Sequence, residues 1–207
     1  MTHTHPPGET IGMRVRTVSD TLLTGLQRRL ARGVDRHLPA LLSRNTPPDS
    51  PALWLALDLT GLHEAAESGL NEQAYKQAAT AVTAAAQIWA RTDVPHARTS
   101  AQQPTTLGAV LARVARSRTS AEDDLARALR THTLDEVTAR LRPLIGQARP
   151  LGVSLDYGLL AADLDAWQFP GGPHRTGQRW AHAYTKAKAL ANRTASSPTA
   201  DRKAPPA

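Results

Sequence analysis

The 207-residue sequence contains no cysteine, and this absence excludes disulfide frameworks and thiolate metal sites. Aromatic residues make up only 4% of the chain, and no apolar run approaches the length that crosses a bilayer. The first residues do not form a charged segment followed by an apolar one, so no secretory leader is predicted. We therefore expect a cytoplasmic protein with no membrane partner.

Motifs of catalysis and nucleotide binding are also missing. The chain has no Walker-type glycine-lysine loop, no dinucleotide glycine fingerprint and no His-Glu-x-x-His pair. Gly171 and Gly172 lie between two prolines and are interpreted as a turn between helices. Asp163 and Asp165 should point to different faces of a helix, and Asp156 is interpreted as a helix cap. The expectation is a protein that is not an enzyme and has no metal site, cofactor or small-molecule substrate.

Alanine and leucine dominate the 41% of residues that are hydrophobic, which favours helices over strands. Leu22, Leu26 and Leu30 repeat at helical spacing after Ser19, a possible N-cap. Further helices are predicted for residues 39–44, 71–91, 106–114, a segment from 134, 156–167 and 174–192. The predicted fold class is all-α, a helical bundle with two small helical lobes.

Two sequence pairs have the spacing of a capping box, in which two side chains satisfy free backbone amides at a helix start. They are Ser120 with Asp123 and Thr133 with Glu136. Pro143 should kink the helix that follows the second pair, because proline removes a backbone donor.

The proline-containing polar loop at residues 92–104 divides the chain in our interpretation. We predict a mobile N-terminal arm (1–17), an N-terminal helical lobe (18–103), a C-terminal helical lobe (104–192) and a disordered tail (193–207). The first three and the last two helices are expected to bury separate cores, because charge and proline content change at the loop.

Basic residues exceed acidic ones, with 25 Lys and Arg against 18 Asp and Glu, for a net charge of +7. Such an excess favours a polyanionic partner. Nearly all of these cations are arginine, whose planar fork of donors suits phosphate.

The last third of the chain carries a distinctive run of residues: Leu151 to Leu160, Asp163, Leu164, Trp167 to Gly172, Arg179, Trp180 and Tyr184. This run is similar to the C-terminal motif of the CasB family, the small subunit of type I-E CRISPR Cascade complexes. Three upstream elements also resemble that family, over about residues 35–190: Ser43-Arg44, Thr106-Leu107-Gly108 with Leu111-Ala112-Arg113, and Leu141-Arg142 with Leu144. The chain departs from the pattern at Ala109 and Ser43, where the family often has arginine.

The resemblance implies a two-lobed helical protein that bridges other Cascade subunits and lies beside a second copy of itself. It also implies contacts with guide RNA and target DNA, including the displaced strand of an R-loop. The arginines at motif-matched positions are Arg44, Arg113, Arg142 and Arg179. Further candidates for binding the nucleic-acid backbone are Arg116, Arg130 and Arg175.

Other interpretations remain open at this stage. The chain could be a free-standing helical DNA-binding regulator, or a scaffold whose arginines are only solvated. Arg142 and Arg179 could instead pair with acidic residues such as Asp156 or Asp163 and hold helices together. The aromatic residues of the motif have a spacing that favours helix packing over base stacking: Trp167, Phe169, Trp180 and Tyr184.

Overall fold

The computed structural model describes residues 11–33, 37–44, 46–57, 59, 62, 72–100 and 102–196. These residues form nine α-helices: α1 (Ile11–Ala31), α2 (His37–Leu42), α3 (Pro51–Leu57), α4 (Glu72–Thr92), α5 (Leu107–Ser117), α6 (Ala121–Ala128), α7 (Leu134–Gly146), α8 (Tyr157–Trp167) and α9 (Gly172–Ser196). Within the same residues, no helix combines the length and apolarity needed to cross a membrane. The predicted all-α bundle is confirmed.

Helix α1 begins at Ile11, well before the predicted N-cap Ser19, which is buried inside the helix. Val15 is also fully buried, so the apolar face extends back beyond the leucine repeat. Residues 11–17 are therefore helical, and their assignment to the arm was wrong. Helix α9 likewise includes residues 193–196, which had been assigned to the tail. Residues 1–10 and 197–207 lie outside the described part of the chain.

Helix α8 lies at the centre of the bundle, where α1 and α4 both pack against it. The Tyr157 hydroxyl, at the start of α8, hydrogen-bonds to Oγ1 of Thr92 on α4 at 3.0 Å. One continuous cluster of buried apolar side chains runs from α1 to α9. The prediction of two separate cores is wrong, because helices from the first half bury their apolar faces against α8. The lobe boundary near residue 103 stays a prediction.

Helices α5 and α9 approach closely at Gly108. Thr106 caps α5 by accepting a hydrogen bond from the Ala109 amide, at 3.4 Å. A Cβ atom at Gly108 would lie 2.3 Å from the Trp180 carbonyl oxygen of α9. Only glycine allows this approach, which gives the Thr-Leu-Gly element a structural reason.

One of the two predicted capping boxes is present. Thr133 and Glu136 satisfy each other's backbone amides at the start of α7, as predicted. Ser120 does not cap α6, because its hydroxyl instead accepts a 2.8 Å hydrogen bond from Nε of Arg118. Helix α7 continues through Pro143 to its end at residue 146.

Buried aromatic residues of the C-terminal motif pack α9 against its neighbouring helices. Trp167 and Trp180 stack with ring centroids 5.2 Å apart, and both are buried, as is Tyr184. The helix-packing interpretation is confirmed for these three residues. The turn before α9 uses Gly171 with a φ of 69°, and Gly172 follows where a Cβ would clash with α8.

Candidate nucleic-acid interface

Arg91 lies beside two other arginines that are distant in sequence: it contacts the backbone of Arg44, and its charge acts on Arg142. We call Arg44, Arg91 and Arg142 the arginine cluster. Arg91, in the last turn of α4, donates from Nε to the Ser43 carbonyl at 3.1 Å and also donates to the Arg44 carbonyl. Burial and the nearby Arg91 charge lower the pKa of Arg142, on α7. The end of α4 therefore lies beside both the segment that carries Arg44 and the Arg142 side chain of α7.

No carboxylate of the described residues forms an ion pair with the arginine cluster. Nε of Arg142 is buried and has no hydrogen-bond partner among those residues. The Arg44 side chain is exposed. Guanidinium groups keep their charge, and the neighbouring charges of Arg91 and Arg142, without a counter-ion among the described residues, attract an anion. The arginine cluster is therefore suited to binding phosphate oxygens.

Helix α4 fixes the segment that carries Arg44. Gln87 donates to the Thr46 carbonyl at 2.7 Å, and Arg91, one turn later, holds the carbonyls of residues 43 and 44. Arg91 was not among the arginines predicted to bind nucleic acid, and it lies 47 residues from Arg44 in the sequence. Arginine is common in the last turn of a helix, where it complements the helix dipole, so its sequence position alone gave no signal.

Arg179 has a different environment from the arginine cluster. Its guanidinium donates to Oδ1 of Asp163 at 2.6 Å and to Oγ1 of Thr176 at 3.1 Å. The Trp180 indole donates to the other oxygen of Asp163, also at 2.6 Å. Burial raises the pKa of Asp163, and the bond from Arg179 opposes that effect. These contacts agree with the alternative in which Arg179 holds helices together.

Two predicted arginines lie on α5. Arg113 is half-buried, and Arg116 is exposed in the last turn. Arg116 lines a cavity of about 300 Å³ between α5 and α9, together with Tyr184 and Lys188. Lys188 pairs with Glu122 at 2.7 Å, so this cavity also contains a carboxylate.

The last two predicted arginines lie near the C-terminal half of the bundle. Arg130 is exposed in the turn after α6, and Arg175 is exposed in the first turn of α9, where it donates to the Pro170 carbonyl at 3.2 Å. Of the seven predicted arginines, Arg44 and Arg142 are the two that lie beside Arg91.

The structure also contains a group of potential metal ligands that the sequence analysis did not find. Oxygen or nitrogen atoms of Asp20, His96 and Asp156 lie within 4.8 Å of one another. Burial lowers the pKa of His96, so its ring is neutral at physiological pH. Its Nδ1 accepts a 3.3 Å hydrogen bond from the Tyr157 amide, which places the ring proton on Nε2, towards Asp20. That nitrogen then has no lone pair for a metal.

Each carboxylate of this group has an arginine partner. Asp156 accepts from Arg16 at 3.0 Å and from the Thr99 amide at 2.8 Å, and it caps α8 through Leu159. The Asp20 carboxylate lies 2.8 Å from Nε of Arg98. The helix-cap prediction for Asp156 is confirmed. The donor set fits a structural charge network, not a metal site.

Comparisons with known proteins identify solved structures that have a similar fold. A solved structure of CasB from Thermobifida fusca aligns with a TM-score of 0.68 and 21% identity, over 83% of this chain and 97% of that chain. A Cse2-family CRISPR-associated protein from Thermus thermophilus aligns with a TM-score of 0.57 and 22% identity, over 82% and 98%. A chain of a CRISPR RNA-guided surveillance complex gives a TM-score of 0.60 at 19% identity, over 87% and 99%.

No curated protein matches this sequence significantly. The solved structures are identical to this chain at less than a quarter of the aligned residues. At this level of identity, they establish a common fold and nothing further. The model of the family described as CRISPR-associated protein Cse2 matches residues 25–184. That range includes the Ser43-Arg44, Thr-Leu-Gly and C-terminal elements on which the resemblance rested, so the chain belongs to the CRISPR-associated protein Cse2 family.

Proposed function

We propose that this chain is a non-catalytic small subunit of a type I-E CRISPR Cascade surveillance complex, where it binds nucleic-acid backbone and stabilises the R-loop. The observation that carries the proposal is the arginine cluster, in which Arg91 and Arg142 lie near each other and beside the segment of the exposed Arg44, without a carboxylate partner among the described residues. Family membership supports the setting, because the similar solved structures include chains of CRISPR RNA-guided surveillance complexes. The partners are guide RNA, target DNA, other Cascade subunits and a second copy of this chain.

A few phosphate contacts are enough for this role. In RNA-guided complexes the sequence is read by base pairing, and opening the target duplex is a near-balanced exchange. Protein contacts to the backbone of the displaced strand can therefore shift the equilibrium towards the open form. In our proposal Arg44, Arg91 and Arg142 supply the central contacts. The other exposed or half-buried arginines extend the surface: Arg113, Arg116, Arg130 and Arg175.

Arg142 offers the sharpest test, because its environment predicts opposite effects on stability and binding. Its substitution removes a partly buried charge that lies near Arg91. Arg142→Gln should therefore leave the melting temperature unchanged or raise it, while R-loop affinity of the assembled complex falls. For a single strand, the slope of log affinity against log salt should flatten by about 0.7 for each phosphate that is no longer neutralised.

The matched control is Arg29→Gln, which removes one exposed charge from the end of α1. It should change neither the affinity nor the salt slope by a comparable amount. Unchanged affinity and salt slope in Arg44→Gln, Arg91→Gln and Arg142→Gln complexes would overturn the proposal. Tight, sequence-specific duplex binding by the isolated chain would support the alternative of a free-standing DNA-binding regulator.

A further inference from the structure

A second positively charged site lies on the opposite side of α7. A cavity of about 350 Å³ opens between α6 and α7, and its polar lining includes Arg118, Asp124, Arg127, Arg140 and Gln147. Arg140 and Arg142 are two residues apart on α7, so their side chains leave the helix on different faces. The cavity is therefore distinct from the arginine cluster, and α7 separates the two.

Three arginines but only one carboxylate line this cavity. Asp124 forms a close ion pair with Arg127, and its other oxygen lies 3.9 Å from Arg118. Arg140 is exposed and has no ion pair with any residue that the structure describes. The three arginines and Asp124 give a local charge of +2, and this excess attracts a further anion.

We propose that this cavity binds one phosphate group of a single-stranded nucleic-acid backbone, and that Asp124 competes with the phosphate for Arg118 and Arg127. This inference rests on the proposed function, because it adds a second contact for the same ligand. A strand that crosses α7 contacts the arginine cluster on one side and the cavity on the other. Two or more guanidinium forks can then hold phosphate oxygens while the Asp124 carboxylate turns towards solvent.

The role of Asp124 predicts a gain of binding, which a purely structural ion pair would not produce. Asp124→Asn frees Arg118 and Arg127 and should tighten binding of a fluorescent oligothymidylate to the full chain by about two- to fivefold, the size of an exposed ion pair. The matched control is Asp123→Asn, an adjacent exposed acid in the first turn of α6 that does not line the cavity. It changes the net charge equally and should tighten binding clearly less.

Arg140→Gln tests the cavity by loss of binding and leaves the Asp124 ion pairs intact. It should weaken oligothymidylate binding and flatten the salt slope by about 0.7. Addition of inorganic phosphate to the wild-type chain should shift the NMR signals of the Nε–H groups of Arg118, Arg127 and Arg140.

Equal affinities for Asp124→Asn and Asp123→Asn, together with wild-type binding by Arg140→Gln, would overturn the inference. If Arg142→Gln still loses affinity in that case, the proposed function stands without the cavity. Shifts caused by an oligoglutamate peptide, with none from phosphate or oligothymidylate, would also overturn it, because they identify a protein carboxylate as the ligand.

Discussion

The guanidinium of Arg179 donates a 2.6 Å hydrogen bond to Oδ1 of Asp163, and this interaction joins α9 to α8. Asp163 is almost fully buried, whereas the Arg179 side chain is 53% exposed. An arginine in a sequence motif can therefore serve the fold, even when its guanidinium reaches solvent. The arginine cluster differs, because its members have no carboxylate partner in the described part of the chain.

Arg179→Ala should lower the free energy of unfolding by about 1–2 kcal/mol, because a buried carboxylate loses a charged donor. The salt slope of oligothymidylate binding should stay unchanged. Arg29→Ala is the control, since Arg29 is exposed at the end of α1 and lies outside the proposed binding surface. Urea unfolding and fluorescence anisotropy measure the two effects. A weaker, less salt-dependent complex with unchanged stability would place Arg179 in the nucleic-acid interface instead.

Gly108→Ala should separate α5 from α9 and cost about 2–3 kcal/mol, because the new methyl group meets backbone atoms that cannot move independently. Gly25→Ala is the opposite case, since no atom lies within 4 Å of a Cβ at that position in α1. It should stabilise the protein by about 0.5–1 kcal/mol through the helix propensity of alanine. Thermal unfolding measures the change in stability of each variant. Equal changes for Gly108→Ala and Gly25→Ala would contradict the packing described for Gly108.

Asp156→Ala removes the α8 cap together with the interactions with Arg16 and Thr99. We expect a loss of about 3 kcal/mol, the sum of a cap and a partly buried ion pair. Asp135→Ala removes an exposed acid from the first turn of α7 and should cost about 0.5 kcal/mol or less. Similar losses for both variants in urea unfolding would show that Asp156 acts only as a helix-terminal charge.

Asp165 should make the protein less stable as the pH rises. Burial raises its pKa from 3.8 to about 6. Between these values the folded chain holds a proton that the unfolded chain has released, so the free energy of unfolding falls with increasing pH. Asp165→Asn should reduce the fall between pH 4 and 6.5 by about 1–3 kcal/mol. Asp123→Asn, at an exposed site, should leave the pH profile unchanged, and identical profiles for both variants would refute the assignment.

Local sequence patterns predicted much of the secondary structure. The leucine repeat identified α1, and the pairing of Thr133 with Glu136 identified the start of α7, because both signals involve residues within two helical turns. The start of α1 was misplaced because Val15 extends the apolar face beyond the leucines. Ser120 was misassigned because Arg118 occupies its hydroxyl, a competition that spacing does not reveal.

Contacts between distant residues could not be predicted in the same way. The sequence suggested Arg44 and Arg142 separately through family motifs, but nothing local connected either of them with Arg91. The charge network of Asp20, His96 and Asp156 likewise joins residues from three segments. Such sites depend on how segments distant in sequence pack together, so they become visible only with the tertiary structure.

The packing of α1 against α8 has a consequence for synthesis of the chain on the ribosome. Arg16 and Asp156 are 140 residues apart, so α1 emerges long before its docking partner exists. At about 5–20 residues per second, the apolar face of α1 stays uncovered for roughly 7–28 s. Contacts of such long sequence separation also slow folding. Helix α1 can therefore complete its packing only after α8 has emerged, although α4, its other neighbour, is available earlier.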